Sequence, residues 1–220
     1  MLELPILFLD EHLLAVNKPA GLPTLPDGYD KSAPCLIDLL KQQVDRLWVV
    51  HRLDKDTSGV IVVARSAEVH RALNIAFDSR EVRKIYHAIL IGAPYWDEYL
   101  IDLPLRPDGD RRHRTVIDRQ RGKPAVTRLR VIERFAQLAL IEARPETGRT
   151  HQIRAHLAAI DLPLAGDDLY GGRGVTALIA RTALHAHTIE LEHPATHQPL
   201  HVEAPYAPDF TQALRQLRGQ

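Results

Sequence analysis

The 220-residue sequence predicts an α+β protein, a mixed and largely antiparallel β-sheet flanked by helices and loops. Several separate stretches alternate apolar and polar residues with a period of two, the mark of strands with one face covered. Between them, stretches such as Val69 to Phe77 repeat apolar residues at helical spacing. The two kinds of stretch follow no regular βαβ rhythm, which disfavours a doubly wound parallel sheet. With 45% hydrophobic and 25% charged residues, the chain suits one large domain, taken as residues 1–220.

Apolar Ile6 to Leu9 and Leu13 to Val16, separated by Asp10-Glu11-His12, predict a hairpin, which the loop Asn17-Lys18-Pro19-Ala20-Gly21 ends. A Pro- and Gly-rich stretch over 22–34 leads into a helix on which Leu36, Leu39, Leu40 and Val44 recur. Trp48 to Val50 and Val60 to Val63 read as short buried strands on either side of a polar loop. Ser66 suits the N-cap of a helix with Val69, Ala72, Leu73, Ala76 and Phe77 on one face and a basic last turn. From Lys84 to Ile91 the alternation predicts a strand; residues 124–134 and 137–143 predict a ribbon with arginines on the exposed face of its first strand. Thr150 precedes a helix with Ile153, His156, Leu157 and Ile160 on one face, stopped by Pro163. Strands near 184–192 and 199–203 and a final helix from about Asp209 follow.

No apolar run approaches the roughly 20 residues of a membrane-spanning helix. The N-terminus lacks a basic segment and carries Glu3, so no signal peptide is expected. The lone Cys35 has no internal disulfide partner, and a reducing, cytoplasmic setting follows. The formal net charge is zero, from 28 basic and 28 acidic residues, which taken alone points away from a polyanionic partner. The distribution says otherwise: residues 1–45 sum to −4, residues 106–134 to +6, and 22 of the 28 basic residues are arginine.

Two polar clusters are candidates for chemistry. His51-Arg52-Leu53-Asp54-Lys55-Asp56-Thr57-Ser58-Gly59 lies between apolar strands, and neighbouring cations keep a carboxylate there ionised as a nucleophile or base. A solvated turn accounts for the same composition. Glu146 to His156 is a polar turn running into a helix, on which His151 and Arg154 share a face. Arg154 has the geometry to hold a carboxylate from another segment, and a solvated helical arginine is the alternative. Of the twelve histidines none forms HExxH; His185 and His187 share a strand face without an obvious third ligand, so metallohydrolysis is disfavoured. Gly166 to Gly174 matches no nucleotide-binding signature and reads as a flexible surface loop.

In combination the motifs resemble the RluA-type RNA pseudouridine synthases, in a short form without an S4 domain. The HRLD-x-x-TSG signature is His51 to Gly59, K-x-Y-x-A is Lys84, Tyr86 and Ala88, and TGR-x-HQ-x-R-x-H is Thr147 to His156. NKPAG at 17–21, GKPA at 122–125, GD-x-x-YG at 166–171 and LHA at 184–186 extend the resemblance over nearly the whole chain.

The resemblance implies the pseudouridine synthase fold, with a catalytic cleft across the sheet, and an isomerase acting on uridine in folded RNA without a cofactor or metal. It implies Asp54 as the essential catalytic carboxylate, Tyr86 stacked on the target uracil and assisting loss of the C5 proton, and Arg154 paired with Asp54. The target base is flipped out of the RNA; Arg52 fills the vacated space and Leu184 packs near the uracil. Without an S4 domain, RNA is held by the catalytic domain, and the basic segment with Arg111, Arg112 and Arg114 offers phosphate contacts, a merely solvated hairpin being the alternative. The expected substrate is 23S ribosomal RNA, the tRNA anticodon stem-loop, or both; Pro23-Thr24-Leu25-Pro26 after NKPAGL leans towards the dual type. A monomer is expected. An RNA-binding or RNA-folding factor that has lost catalysis is the alternative function, disfavoured because Asp54, Tyr86 and Arg154 are all present.

Overall fold

The computed structural model describes residues 4–26, 33–171 and 178–219. The architecture is α+β, with mixed, mostly antiparallel strands and, among the described residues, four helices. The chain divides into two compact units, each assembled from two separated stretches: Met1–Lys84 with Ala186–Ala207, and Ile85–His185 with Pro208–Gln220.

In the first unit, β1 (Ile6–Leu9) and β2 (Leu13–Lys18) form the expected hairpin. Asp10 Oδ1 shapes its turn by accepting from the backbone N–H of His12 and Leu13, both at 2.8 Å. β2 pairs with β4 (Ser58–Ala64), placing Val16 opposite Ile61. All of β4 is buried, so its sequence is a continuous apolar run rather than an alternation. β3 (Trp48–Val49) pairs with the far end of β4 and is half-buried, shorter and more open than its apolar residues suggest. β11 (Leu184–Glu192), most of which belongs to this unit, adjoins β4 and pairs with β12 (Pro199–Glu203). Ser66 caps α2 (Ala67–Asp78) by accepting from Val69 N–H at 3.1 Å. The expected basic last turn is absent: Arg80 comes after the helix, with φ at 63°. α1 (Leu36–Lys41) also ends before Val44, whose N–H still reaches Leu40 C=O at 2.9 Å. Of the Pro- and Gly-rich stretch, residues 27–32 lie outside the described residues.

In the second unit, β5 (Arg83–Ile91, whose first two residues belong to the first unit), β10 (Leu138–Pro145), β9 (Val126–Arg134) and β6 (Glu98–Asp102) pair antiparallel in that order. One face buries Ala88, Leu90, Ile101, Leu129, Ile141 and Ala143 against Ile153 and Leu157 of α3 (Gln152–Ala159). The other face of β9 exposes Arg128 and Arg130, as the alternation predicts. α3 starts one residue later than Thr150 would have it, after His151 turns the chain at φ 52°. α4 (Pro208–Leu217) closes the chain, burying Phe210, Ala213 and Leu214. Among the described residues, three strands escaped the sequence. β7 (Leu105–Arg106) and β8 (Val116–Ile117), which pair with each other, are too short to show a period. β6 exposes four of its five residues, so no one-sided apolar pattern marks it.

Candidate active site

In the first unit, the loop from β3 to β4 carries Arg52 and Asp54, and its backbone is pinned on both sides of the carboxylate. Leu53 is buried; its N–H donates to Thr24 Oγ1 at 3.2 Å, and that hydroxyl donates to Leu53 C=O at 2.9 Å. On the other side, Lys55 C=O accepts from Gly21 N–H at 2.9 Å and from Lys18 Nζ at 3.1 Å. Lys18 is completely buried and spends its ammonium on backbone, donating also to Pro19 C=O at 2.9 Å and Leu22 C=O at 2.7 Å. A buried cation surrounded by oriented carbonyls is how NKPAG becomes a strut for the Asp54 loop. Thr57 N–H closes the turn onto Asp54 C=O at 3.1 Å. Thr57, Ser58 and Gly59 are buried while Arg52, Lys55 and Asp56 stay exposed. The loop is therefore more than a solvated turn. Gly59, at φ 114°, leaves no room for a side chain, since a Cβ would stand 2.1 Å from Ala186 O.

His51, which opens the signature, is an anchor. Its Nε2 accepts from Val62 N–H at 3.0 Å, and its ring stacks on Phe77 at 4.8 Å. Burial, and secondarily the Lys84 ammonium, push its pKa down to about 3. The imidazole is neutral at pH 7, with its proton on Nδ1 because Nε2 is accepting. Burial likewise lowers the pKa of Lys84.

In the second unit, Tyr86 lies half-buried on β5, opposite Ala143, against the core beneath α3. Leu184 belongs to the same core and is buried. Arg154, on α3, makes a two-point pair with Asp167, Nε to Oδ2 at 2.7 Å and Nη2 to Oδ1 at 2.9 Å, and lies over the Tyr170 ring at 5.1 Å. The sequence reading missed both partners and took Gly166 to Gly174 for a flexible surface loop. In fact Asp167 is completely buried and Tyr170 nearly so. Gly172, Arg173 and Gly174 lie outside the described residues. Only the spacing of GD-x-x-YG carried a signal. His156 is packed, with ring nitrogens 2.9 Å from Thr127 Oγ1 and 2.9 Å from Leu103 O, and burial lowers its pKa.

Half of the basic residues of the segment are ion-paired, two of them within it and three with carboxylates outside it. Arg106 reaches Asp118 at 2.7 Å, Arg114 reaches Asp110 at 2.7 Å, and Arg130 reaches Glu142 at 3.0 Å. Arg114 also donates to Leu169 C=O at 3.4 Å. Arg111 and Arg112 are exposed at the hairpin tip, with Arg112 reaching Asp168 C=O at 3.3 Å.

The model of a family described as RNA pseudouridylate synthase matches residues 12–159. Ribosomal large subunit pseudouridine synthase D of Pseudomonas aeruginosa is 40% identical over 235 residues, covering 99% of this chain and 72% of that protein. Ribosomal large subunit pseudouridine synthase C of Vibrio cholerae is 37% identical, covering 99% and 70%. Among solved structures, human RNA pseudouridylate synthase domain containing 4 superposes with a TM-score of 0.80 at 28% identity, covering 97% of this chain and 93% of that one. Human RNA pseudouridylate synthase domain containing 1 does so with a TM-score of 0.77 at 26% identity, covering 99% and 96%.

Proposed function

We propose a catalytic assignment that starts from one fact: the chain belongs to the RNA pseudouridylate synthase family and is an RNA pseudouridine synthase, an isomerase that turns uridine in RNA into pseudouridine. In that reaction the bond from N1 to C1′ breaks, C5 bonds to C1′, N1 gains a proton and C5 loses one. In our reading Asp54 is the catalytic carboxylate, Tyr86 stacks on the uracil and assists departure of the C5 proton, and Arg154 pairs with Asp54. The observation that carries the reading is the pinned loop: the carbonyls on both sides of Asp54 are fastened by Thr24, Gly21 and Lys18. Such preorganisation is what a group acting at one atom of substrate requires. For Arg154, the two-point pair with Asp167 fixes the plane and position of the guanidinium.

The relatives favour large-subunit ribosomal RNA over tRNA as the substrate. In this reading the uridine is flipped out, Arg52 fills its place, Leu184 packs near the base, and Arg111 and Arg112 hold phosphates while Arg114 serves mainly to shape their hairpin. The two units act as one catalytic domain, since neither is a contiguous stretch of chain. The enzyme acts as a monomer in the cytoplasm; no helix among the described residues is long and apolar enough to cross a membrane.

The test is tritium release to water from RNA labelled at uridine C5. Wild type should release tritium from a large-subunit ribosomal RNA transcript, and Asp54→Asn should lose activity by about 1000-fold or more. Full activity of Asp54→Asn would refute the assignment; RNA binding without release by wild type would point to the non-catalytic alternative.

A further inference from the structure

We propose that Asp167 and Tyr170 are positioning residues for Arg154, and that the backbone of Thr115, at the base of the basic hairpin, locks them in place. The inference rests on the reading above that Arg154 serves Asp54.

An arginine side chain carries about 2 kcal/mol of rotamer entropy, so a helix alone does not aim it. Here two constraints act on one guanidinium. The Asp167 carboxylate holds Nε and Nη2 in a fork, which fixes the plane as well as the position. The Tyr170 ring supports the guanidinium face at 5.1 Å.

Each constraint is itself fixed. Asp167 Oδ1 accepts from the N–H of Leu169 at 3.1 Å and of Tyr170 at 3.2 Å. Gly166, at φ 69°, is pressed so closely against the next segment that a Cβ would stand 2.2 Å from Arg181 O. The Tyr170 hydroxyl accepts from Thr115 N–H at 2.9 Å and donates to Thr115 C=O at 3.2 Å, with His151 Nδ1 a further 3.2 Å neighbour. Both backbone groups of Thr115 are thus spent on one hydroxyl. Arg112 and Arg114 add contacts from the hairpin to the carbonyls of Asp168 and Leu169. A pair needed only for stability is often replaceable by apolar residues. This one is braced on two sides, and one brace runs to the hairpin that carries Arg111 and Arg112.

The experiment measures kcat and KM by tritium release for Asp167→Asn and Tyr170→Phe, each alone and in an Arg154→Lys background, with thermal melts of every variant. Asparagine keeps the shape but turns an N–H2 towards the guanidinium, and phenylalanine keeps the ring but frees Thr115. We expect Asp167→Asn to lower kcat by about 100-fold and Tyr170→Phe by about tenfold, with KM little changed. In the Arg154→Lys background, either should add less than about threefold, because residues acting through one group are not additive. Full additivity, or kcat unchanged in both single variants, overturns the inference. If Asp167→Asn fails to fold, Tyr170→Phe alone decides by the same two criteria. Full activity of Arg154→Lys would remove Arg154 from the reaction, a distinct failure of the underlying reading.

Discussion

The Asp54 loop and the basic hairpin are both polar, Arg-bearing turns, yet they are held by different physics. Around Asp54 the fastening runs through backbone carbonyls and a neutral imidazole, in buried or partly buried positions. Around the hairpin it runs through ion pairs such as Arg106 with Asp118 and Arg114 with Asp110, both partly exposed. Buried hydrogen bonds to carbonyls are insensitive to salt and costly to leave unmade. Exposed ion pairs are screened and individually worth about 0–1 kcal/mol. One region is fixed by hydrogen bonds that salt does not loosen; the other is held by pairs that salt screens.

The largest effect that would break this contrast is expected at Lys18. Lys18→Met removes the ammonium from three carbonyls and should cost on the order of 1–3 kcal/mol, read as a lowered denaturation midpoint together with lost activity. A midpoint unchanged within error would mean the strut holds nothing. Next comes pH. The unfolded His51 takes up a proton below about 6.5, whereas the folded one resists until about 3. Its stabilisation is therefore full above 6.5 and is lost progressively as pH falls from 6.5 towards 3. His156, also held neutral by burial, acts in the same direction. The hairpin responds in the same direction but at lower pH, since backbone hydrogen bonds from Arg114 and from Arg121 lead in holding the pKa of Asp110 and Asp118 below the usual carboxylate value, and that contribution is lost only as pH falls through that range. His51→Gln, which retains an acceptor for Val62, should flatten the decline in melting temperature across that window; an unchanged slope would reassign it to His156. The smallest effect is expected at the hairpin tip. Replacing Arg111 and Arg112 with glutamine should leave the melt unchanged and reduce the salt dependence of RNA binding by about two phosphate contacts. An unaltered salt slope would make the hairpin a solvated one.

Much of the fold is legible locally. The first hairpin, the Ser66 cap, the continuous apolar β4 and the exposed arginines of β9 follow from propensity and one-sided burial, which act over a few residues. Short β7 and β8 and the exposed β6 are not legible, because neither length nor burial gives them a pattern.

The site divides the same way. Asp54, Tyr86 and Arg154 are picked out by motifs that resemble one family's, and it is that resemblance, carried by the sequence, that supplied the candidate chemistry. It could not say that the lysine of NKPAG is a buried strut, that His51 is a neutral anchor, or that Asp167 and Tyr170 brace Arg154. Those roles depend on which groups far apart in sequence satisfy one another once water is gone, and a buried donor acquires its partner only when the tertiary structure closes around it.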